Sequence, residues 1–213
     1  MRLDAFRKLI ENLPVDTDMA FVLLSHILRG SKSLLPEILA RATTMPVIQV
    51  TREMQLRANH IYVIPPDKLM EIRAGSLHLS SRPLQGANYA IDHFLFSLAN
   101  DHAAGSIGIV LSGEGSDGAE GIKFLKEESG GITMAQEPAS AASPSMPINA
   151  IQIDHVDRIL SPKGIADELA AISSRDAKGG VQPLKVLWMS QQGPSKRTSR
   201  LVVMADPGPP LSA

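Results

Sequence analysis

Short apolar runs alternate with segments of helical periodicity along most of this chain. Runs bounded by polar or glycine-rich turns are typical of buried strands, whereas apolar residues three and four positions apart are typical of helices. Strands are predicted over residues 20–24, 47–50, 60–64, 107–111, 131–135 and 156–160. Helices are predicted over residues 3–13, 33–42, 90–104 and 162–172, with a short one ending near residue 127. This repeated order of strand and helix predicts a doubly wound α/β fold with a mostly parallel sheet.

Two regions depart from this order. Residues 69–72 and 77–79 flank Ala74-Gly75-Ser76, which predicts a β-hairpin beside the parallel sheet. Beyond about Ser174 the chain becomes rich in glycine, proline and basic residues without a clear period, and we interpret residues 185–189 and 201–204 as isolated strands at most. We therefore predict one domain over residues 1–173 and a linker or disordered tail over residues 174–213.

Composition limits the classes of function. The chain has 213 residues, 44% of them hydrophobic, which is enough to bury the core of one domain. Its net charge of −1 provides no field to attract nucleic acid or an anionic membrane. The chain contains no cysteine, so disulfides and thiolate metal sites are excluded. No apolar run approaches the ~20 residues that span a bilayer, and we expect a cytoplasmic protein without membrane insertion.

Asp117 lies in a glycine-rich turn between a predicted strand and a predicted helix, and three interpretations of it are open. It can cap the helix that follows, as an Asp-Gly pair often does. It can belong to a G-x-G-x-x-G dinucleotide fingerprint from Gly113 to Gly118, with Glu137 as the ribose acid. Two carboxylates in that turn, however, oppose the binding of a pyrophosphate. It can also orient the histidine of a hydrolytic triad.

His26 is the candidate histidine, because it follows a predicted strand whose carboxyl end should lie at the same sheet edge as Asp117. In open α/β sheets that edge holds ligands and catalytic groups. The other five histidines show no spacing typical of metal ligands, so no metal site is predicted. We interpret Asp92-His93 as a local polar pair in the first turn of a helix.

Several stretches occur in an order and spacing that together are specific. They are Leu3-Asp4-Ala5-Phe6, the strand that ends in His26, His60-Ile61-Tyr62-Val63-Ile64-Pro65-Pro66, IDHFLFSLA at 91–99, LSGEGSDGA at 111–119, Ala135-Gln136-Glu137, and Met146-Pro147 ahead of Ala150-Ile151. Over about residues 3–173 the chain therefore resembles the catalytic domain of the CheB family, the chemotaxis protein-glutamate methylesterases.

The resemblance implies a Ser-His-Asp triad that hydrolyses glutamate γ-methyl esters on chemoreceptors. It makes His26 the general base and Asp117 the group that orients its imidazole, and it assigns the backbone around Glu114 to the oxyanion hole. It implies no metal or organic cofactor. The implied partners are the cytoplasmic helices of methylated chemoreceptors, and receiver or methyltransferase domains as fused or partner signalling domains.

The chain departs from the family pattern at the nucleophile. In the family, the nucleophilic serine lies in a Gly-x-Ser-x-Gly-Gly loop between a first strand and the helix that here begins at Leu3. Met1-Arg2 stand where that loop would end. We therefore expect the sheet to lack the family's first strand, which would leave an open apolar slot and lower the stability or favour self-association.

Three serines occur near the predicted site, but none is on a glycine-flanked elbow; they are Ser25, Ser112 and Ser116.

A second departure from the family pattern is Glu114, because a carboxylate beside a developing oxyanion raises the reaction barrier unless it points to solvent. Two functional hypotheses remain. One is a methylesterase domain that is nearly inactive because its serine is absent from this chain. The alternative is a catalytically inactive remnant that binds receptors or a signalling partner.

Overall fold

A computed structural model describes residues 4–26, 33–85, 88–101, 105–177 and 200–206 of the chain. The helices are α1 (Asp4–Glu11), α2 (Leu35–Ala40), α3 (Ala90–Asn100), α4 (Ala119–Ser129), α5 (Ser145–Gln152) and α6 (Pro162–Ala177). The strands are β1 (Met19–Ser25), β2 (Val47–Gln49), β3 (Met54–Gln55), β4 (His60–Val63), β5 (Lys68–Arg73), β6 (Ser76–Ser81), β7 (Ile107–Val110), β8 (Ile132–Gln136), β9 (Arg158–Leu160) and β10 (Arg200–Asp206).

The main sheet has seven strands in the order β2-β4-β1-β10-β7-β8-β9, and every pairing in it is parallel. The predicted hairpin is present as the antiparallel pair β5–β6, which β3 extends to a small three-stranded sheet. These observations confirm the predicted α/β class with a mostly parallel sheet and a hairpin. Strand β3 was not predicted, since two residues are too few for a periodic signal.

Both faces of the main sheet are covered, as continuous apolar strands require. On one face α1, α2 and α6 pack against alternate strand residues such as Phe21, Ile109 and Met204. On the other face α3, α4, α5 and the small sheet pack against the intervening residues, for example Val22 and Val203. The alternation places two separate apolar cores on the two sides of one sheet.

Strand β10 lies in the region predicted to be a linker or tail, and it occupies the centre of the sheet between β1 and β7. Its residues from Leu201 to Ala205 are buried. The open apolar slot expected from the sequence is therefore absent, because this run satisfies the facing N–H and C=O groups of β1 and β7. Helix α6 likewise continues to Ala177. The apolar stretch at 185–189 lies outside the described residues.

Helix α5 is a second difference from the sequence prediction, which left the stretch up to Pro147 irregular. Pro147 falls in the first turn of α5, where a missing N–H removes no helical hydrogen bond. Predicted residues 102–104 of the third helix lie outside the described ranges, and α3 ends at Asn100. Within the described ranges, no helix is both long and apolar enough to cross a membrane.

Candidate active site

His26 and Asp117 meet at the carboxyl edge of the parallel sheet, as the strand order predicts. His26 directly follows β1, and Asp117 lies in the turn between β7 and α4. The Nε2 atom of His26 is 2.5 Å from Oδ2 of Asp117. The Asp117 side chain is 5% exposed and that of His26 is 20% exposed, so the imidazole is the part of the pair that solvent can reach.

The carboxylate of Asp117 also accepts two backbone hydrogen bonds from the start of α3. Ile91 N–H donates to its Oδ2 at 3.0 Å, and Asp92 N–H donates to its Oδ1 at 2.9 Å. Asp117 therefore does not cap the helix that follows it, which was the first interpretation of its turn. It stabilises a different helix, α3, where amides without a partner inside the helix and the helix dipole favour a negative charge.

Asp92 performs the converse task for α4. Its Oδ1 accepts the N–H groups of Gly118 at 2.9 Å and Gly121 at 2.7 Å. The side chain is 7% exposed, and its hydrogen bonds go to another helix, so the interpretation of Asp92-His93 as a local polar pair is wrong for Asp92. The sequence of the first turn of α3 does not reveal that Asp92 accepts amides of another helix, because those amides are more than twenty residues away.

The two buried carboxylates affect each other electrostatically. Burial raises the pKa of Asp92 to about 6. After burial, the next largest effects are the hydrogen bond from the Gly121 amide, which lowers the pKa, and the negative charge of Asp117, which raises it. Smaller effects come from the Gly118 amide, which lowers the pKa, and the charge of Glu120, which raises it. Asp92 is thus a carboxyl group that titrates near neutrality beside the catalytic candidate Asp117.

The dinucleotide interpretation of the turn requires bare amides at the N-terminus of α4. Two of those amides, at Gly118 and Gly121, already donate to Asp92. A pyrophosphate would have to displace this carboxylate and lie beside that of Asp117. The geometry therefore opposes the dinucleotide interpretation.

The rest of the turn is tied to α5. The Ser145 hydroxyl accepts the Gly115 N–H at 3.1 Å and donates to the Gly113 carbonyl at 3.0 Å. Gly115 has φ of +89°, a conformation that favours glycine. Glu114 is exposed at the tip of this turn, and its Oε2 lies 3.4 Å from the Ser145 Oγ.

A glutamine at the end of β8 also holds the turn. It belongs to the stretch Ala135-Gln136-Glu137, but no role was predicted for it from the sequence. Gln136 is buried. Its Oε1 accepts the N–H of Ser112 at 2.8 Å, while its Nε2 donates to the Ser140 carbonyl at 3.0 Å. The bracing of the turn thus depends on side chains from β8 and α5 that only the folded sheet brings together.

The serines near this site do not adopt the position of a nucleophile. Ser25 and Ser112 are buried, and the Ser112 Oγ accepts the N–H of Ser143 at 3.0 Å. Ser116 is exposed in the turn. The strand end beside His26 belongs to β10, where Asp206 pairs in register with Ser25. Among the described residues, no group of three or more His, Asp or Glu side chains could hold a metal ion.

Comparison with known proteins identifies the family. Residues 2–169 match the CheB methylesterase family. The chain belongs to the CheB methylesterase family. The fold of this CheB-family chain is similar to the crystal structure of the Thermotoga maritima CheB methylesterase catalytic domain, with a TM-score of 0.71 at 20% identity. The similarity covers 79% of this chain and 92% of that domain.

Two relatives of this chain differ widely in length. A protein-glutamate methylesterase/protein-glutamine glutaminase of Carboxydothermus hydrogenoformans is 33% identical over 174 residues, which cover 78% of this chain and 51% of that protein. An uncharacterized 104.1 kDa protein of Rhodobacter capsulatus is 35% identical over 133 residues, covering 62% of this chain and 14% of that protein. The chain thus spans about half, or less, of the length of these relatives.

Proposed function

We propose that this chain is a protein-glutamate methylesterase domain that acts in chemotaxis on glutamate γ-methyl esters of chemoreceptor helices, with His26 and Asp117 as two members of a Ser-His-Asp triad. The observation that carries the proposal is the 2.5 Å contact between His26 Nε2 and Asp117 Oδ2 at the carboxyl edge of the sheet. Membership of the CheB methylesterase family supports the reaction class. A cytoplasmic location, beside the receptor helices, belongs to the same proposal.

The roles follow from the geometry of the pair. An ionised Asp117 only accepts hydrogen bonds, so the imidazole donates through Nε2–H and keeps its basic lone pair on Nδ1. Nδ1 would take the proton of a nucleophilic hydroxyl, and Asp117 would stabilise the imidazolium that forms. Backbone amides of the turn around Glu114 would receive the negative charge of the tetrahedral intermediate.

The nucleophile is the part of the triad that this chain lacks. In the proposed reaction the hydroxyl would come from the strand beside β1, and β10 now occupies that place. The register of β10 puts Asp206 next to Ser25, and the sequence continues Pro207-Gly208-Pro209. Loss of a triad serine lowers kcat by about a million-fold in a serine protease. We therefore expect methanol release at background level from the chain as it stands.

The experiment measures methanol release from a methylated receptor with the wild-type chain and with the double variant Asp206→Ser/Pro209→Gly, which introduces Ser-x-Gly-Gly after β10. An added N-terminal strand would compete with β10, so the changes are made at the last residue of β10 and in the sequence that directly follows it. Met204 stays unchanged because it is buried in the core. We expect activity only in the double variant, and its loss on addition of His26→Ala or Asp117→Ala.

His155→Ala serves as the matched control, because His155 also contacts a carboxylate, with Nε2 3.1 Å from Glu127 Oε1, but lies beyond the opposite end of the sheet. It should leave the activity of the double variant unchanged. Activity in the wild-type chain that survives His26→Ala would contradict the proposed triad.

The alternative function is a catalytically inactive module that binds receptor helices or a signalling partner. It is favoured by the same observation at β10, where an aspartate occupies the strand end nearest to His26. Absence of methanol release from both the wild-type chain and a folded double variant, together with retained binding of methylated receptor fragments, would support it. Receiver or methyltransferase domains, as fused or separate proteins, are the signalling partners we propose.

A further inference from the structure

We infer that Asp92 is a positioning residue for the His26–Asp117 pair, acting by holding the turn that carries Asp117. This inference rests on the proposed function, because that function gives the pair its role. The inference is based on four hydrogen bonds from backbone N–H groups at the starts of α3 and α4 to the carboxylates of Asp92 and Asp117. It is also based on the close approach of the two helices at this point.

The first step concerns Gly118, the residue that directly follows Asp117. Its N–H donates to Asp92 Oδ1 at 2.9 Å, and its φ is +98°. A Cβ on Gly118 would approach a side-chain carbon of Ile91 to 2.8 Å. The backbone next to Asp117 is thus fixed against α3 by a hydrogen bond to Asp92 and by contact with Ile91, in a conformation that favours glycine.

The second step is the reciprocity of the arrangement. Asp117 accepts the N–H groups of Ile91 and Asp92, while Asp92 accepts those of Gly118 and Gly121. Each helix start is therefore stabilised by a carboxylate from the other side of the contact, and displacement of either carboxylate leaves the two amides that it accepts without a partner. The Oδ2 atom of Asp117 that contacts His26 is also the atom that accepts the Ile91 N–H. Movement of the turn would consequently change the contact with His26.

The third step is the energetic cost of Asp92. A buried carboxylate next to another carboxylate is unfavourable, whereas a neutral amide oxygen would accept the same backbone hydrogen bonds. Burial raises the pKa of Asp92 to about 6, which agrees with this cost. Asp92 is therefore not present for its contribution to stability; what the placement of Asp117 requires at this point is a short side chain with an acceptor oxygen.

The test follows the Nε2 proton of His26 by NMR, because a charge-assisted hydrogen bond to Asp117 shifts this proton downfield and slows its exchange with water. The resonance is assigned by its absence in His26→Gln and Asp117→Ala. Asp92→Asn keeps an acceptor oxygen and should retain the resonance at its wild-type position. Asp92→Ala should lose the downfield shift and exchange this proton roughly tenfold faster or more.

Asp157→Ala is the control for a general loss of stability. Asp157 also accepts a backbone amide, that of Thr133 at 2.9 Å, but it lies at the opposite edge of the sheet, before β9. It should lower the melting temperature without changing the His26 proton. The inference is overturned if Asp92→Ala keeps the wild-type shift and exchange rate, or if Asp157→Ala changes them as much.

If Asp92→Ala does not fold, Asp92→Ser is measured instead, because the serine hydroxyl is too short to reach both amides. The shift and exchange rate of the His26 proton are then judged in the same way. Methanol release is not used in this test. A folded double variant Asp206→Ser/Pro209→Gly that releases no methanol, in a protein whose His26 signal does depend on Asp92, would therefore contradict the proposed function alone. An active double variant with a signal insensitive to Asp92→Ala would contradict only the role of Asp92.

Discussion

Buried and half-buried carboxylates connect neighbouring elements at both edges of the main sheet, but their partners differ. At the amino edge, Asp157 accepts hydrogen bonds from the ammonium group of Lys126 at 2.7 Å and from the Thr133 amide at 2.9 Å. At the carboxyl edge, Asp92 and Asp117 accept hydrogen bonds from backbone amides and from His26, and the described contacts include no Lys or Arg.

The pKa values reflect this difference. Partial burial raises the pKa of Asp157, but the hydrogen bonds from Lys126 and Thr133 outweigh it, so the net pKa lies below its ordinary value. The pKa of Asp92 is raised to about 6. The amino edge is thus arranged for stability, whereas the carboxyl edge keeps two close carboxylates at a cost in stability. Such a cost is typical of sites in which placement of a reactive group is required.

The largest expected effect is that of Asp117→Ala. It leaves the buried amides of Ile91 and Asp92 without their acceptor, which should lower the free energy of unfolding by roughly 2–5 kcal/mol. Asp157→Ala should cost about half as much or less, because the ammonium group of Lys126, whose side chain is partly exposed, regains water. Urea unfolding of both variants measures the difference, and equal losses would contradict the contrast between the two edges.

Asp92→Asn should raise the free energy of unfolding rather than lower it. The folded pKa of about 6 lies above the ordinary value of 3.8, so the stability associated with protonated Asp92 is complete below about pH 4 and is lost as the pH rises through 6. Above pH 6 the asparagine variant should therefore be more stable than wild type, by about 3 kcal/mol for a shift of about two units. Unfolding free energies at pH 4 and pH 8 test this, and a gain that is the same at both would refute it.

Asp157→Asn should show the reverse dependence on pH. Since the folded pKa of Asp157 is lowered, its contribution is present above the ordinary value of 3.8 and is lost as the pH falls through the folded pKa. The variant should be less stable than wild type at neutral pH by roughly 1 kcal/mol, after discount for solvent screening. Thermal unfolding from pH 7 to pH 3 checks that the difference becomes smaller as the pH falls below 3.8.

The smallest effect is expected for Glu114→Gln in the double variant Asp206→Ser/Pro209→Gly. Glu114 is exposed, so water screens its charge from the proposed oxyanion. The change should raise kcat for methyl ester hydrolysis less than about fivefold. A larger increase would mean that the carboxylate acts within the site rather than on its surface.

Sequence patterns predicted the sheet strands and the meeting of His26 with Asp117 because both depend on local signals. A buried strand has an apolar run, and residues that follow parallel strands share one edge. Asp92 was missed for the converse reason. Its partners Gly118 and Gly121 are remote in sequence, and nothing in the first turn of α3 distinguishes an acceptor for another helix from a solvated side chain.

Strand β10 shows a different limit. Its apolar run at 201–204 predicts an isolated strand at most. Its surroundings in sequence, rich in glycine and proline, favoured a tail, and periodicity carries no information on which strands a run will join. The position of β10 is determined by the unpaired edges of β1 and β7, with which it pairs. These edges exist only once the rest of the sheet has formed.

The position of β10 also has a consequence for biosynthesis. Met19 of β1 pairs with Arg200 of β10, so the central pairing of the sheet joins residues about 180 positions apart. A nascent chain is synthesised at roughly 5–20 residues per second, and pairings between distant segments form slowly. Until residues 200–206 leave the ribosome, β1 and β7 hold unpaired edges in the middle of the protein. During that interval the newly made chain exposes these edges, which are sites for aggregation.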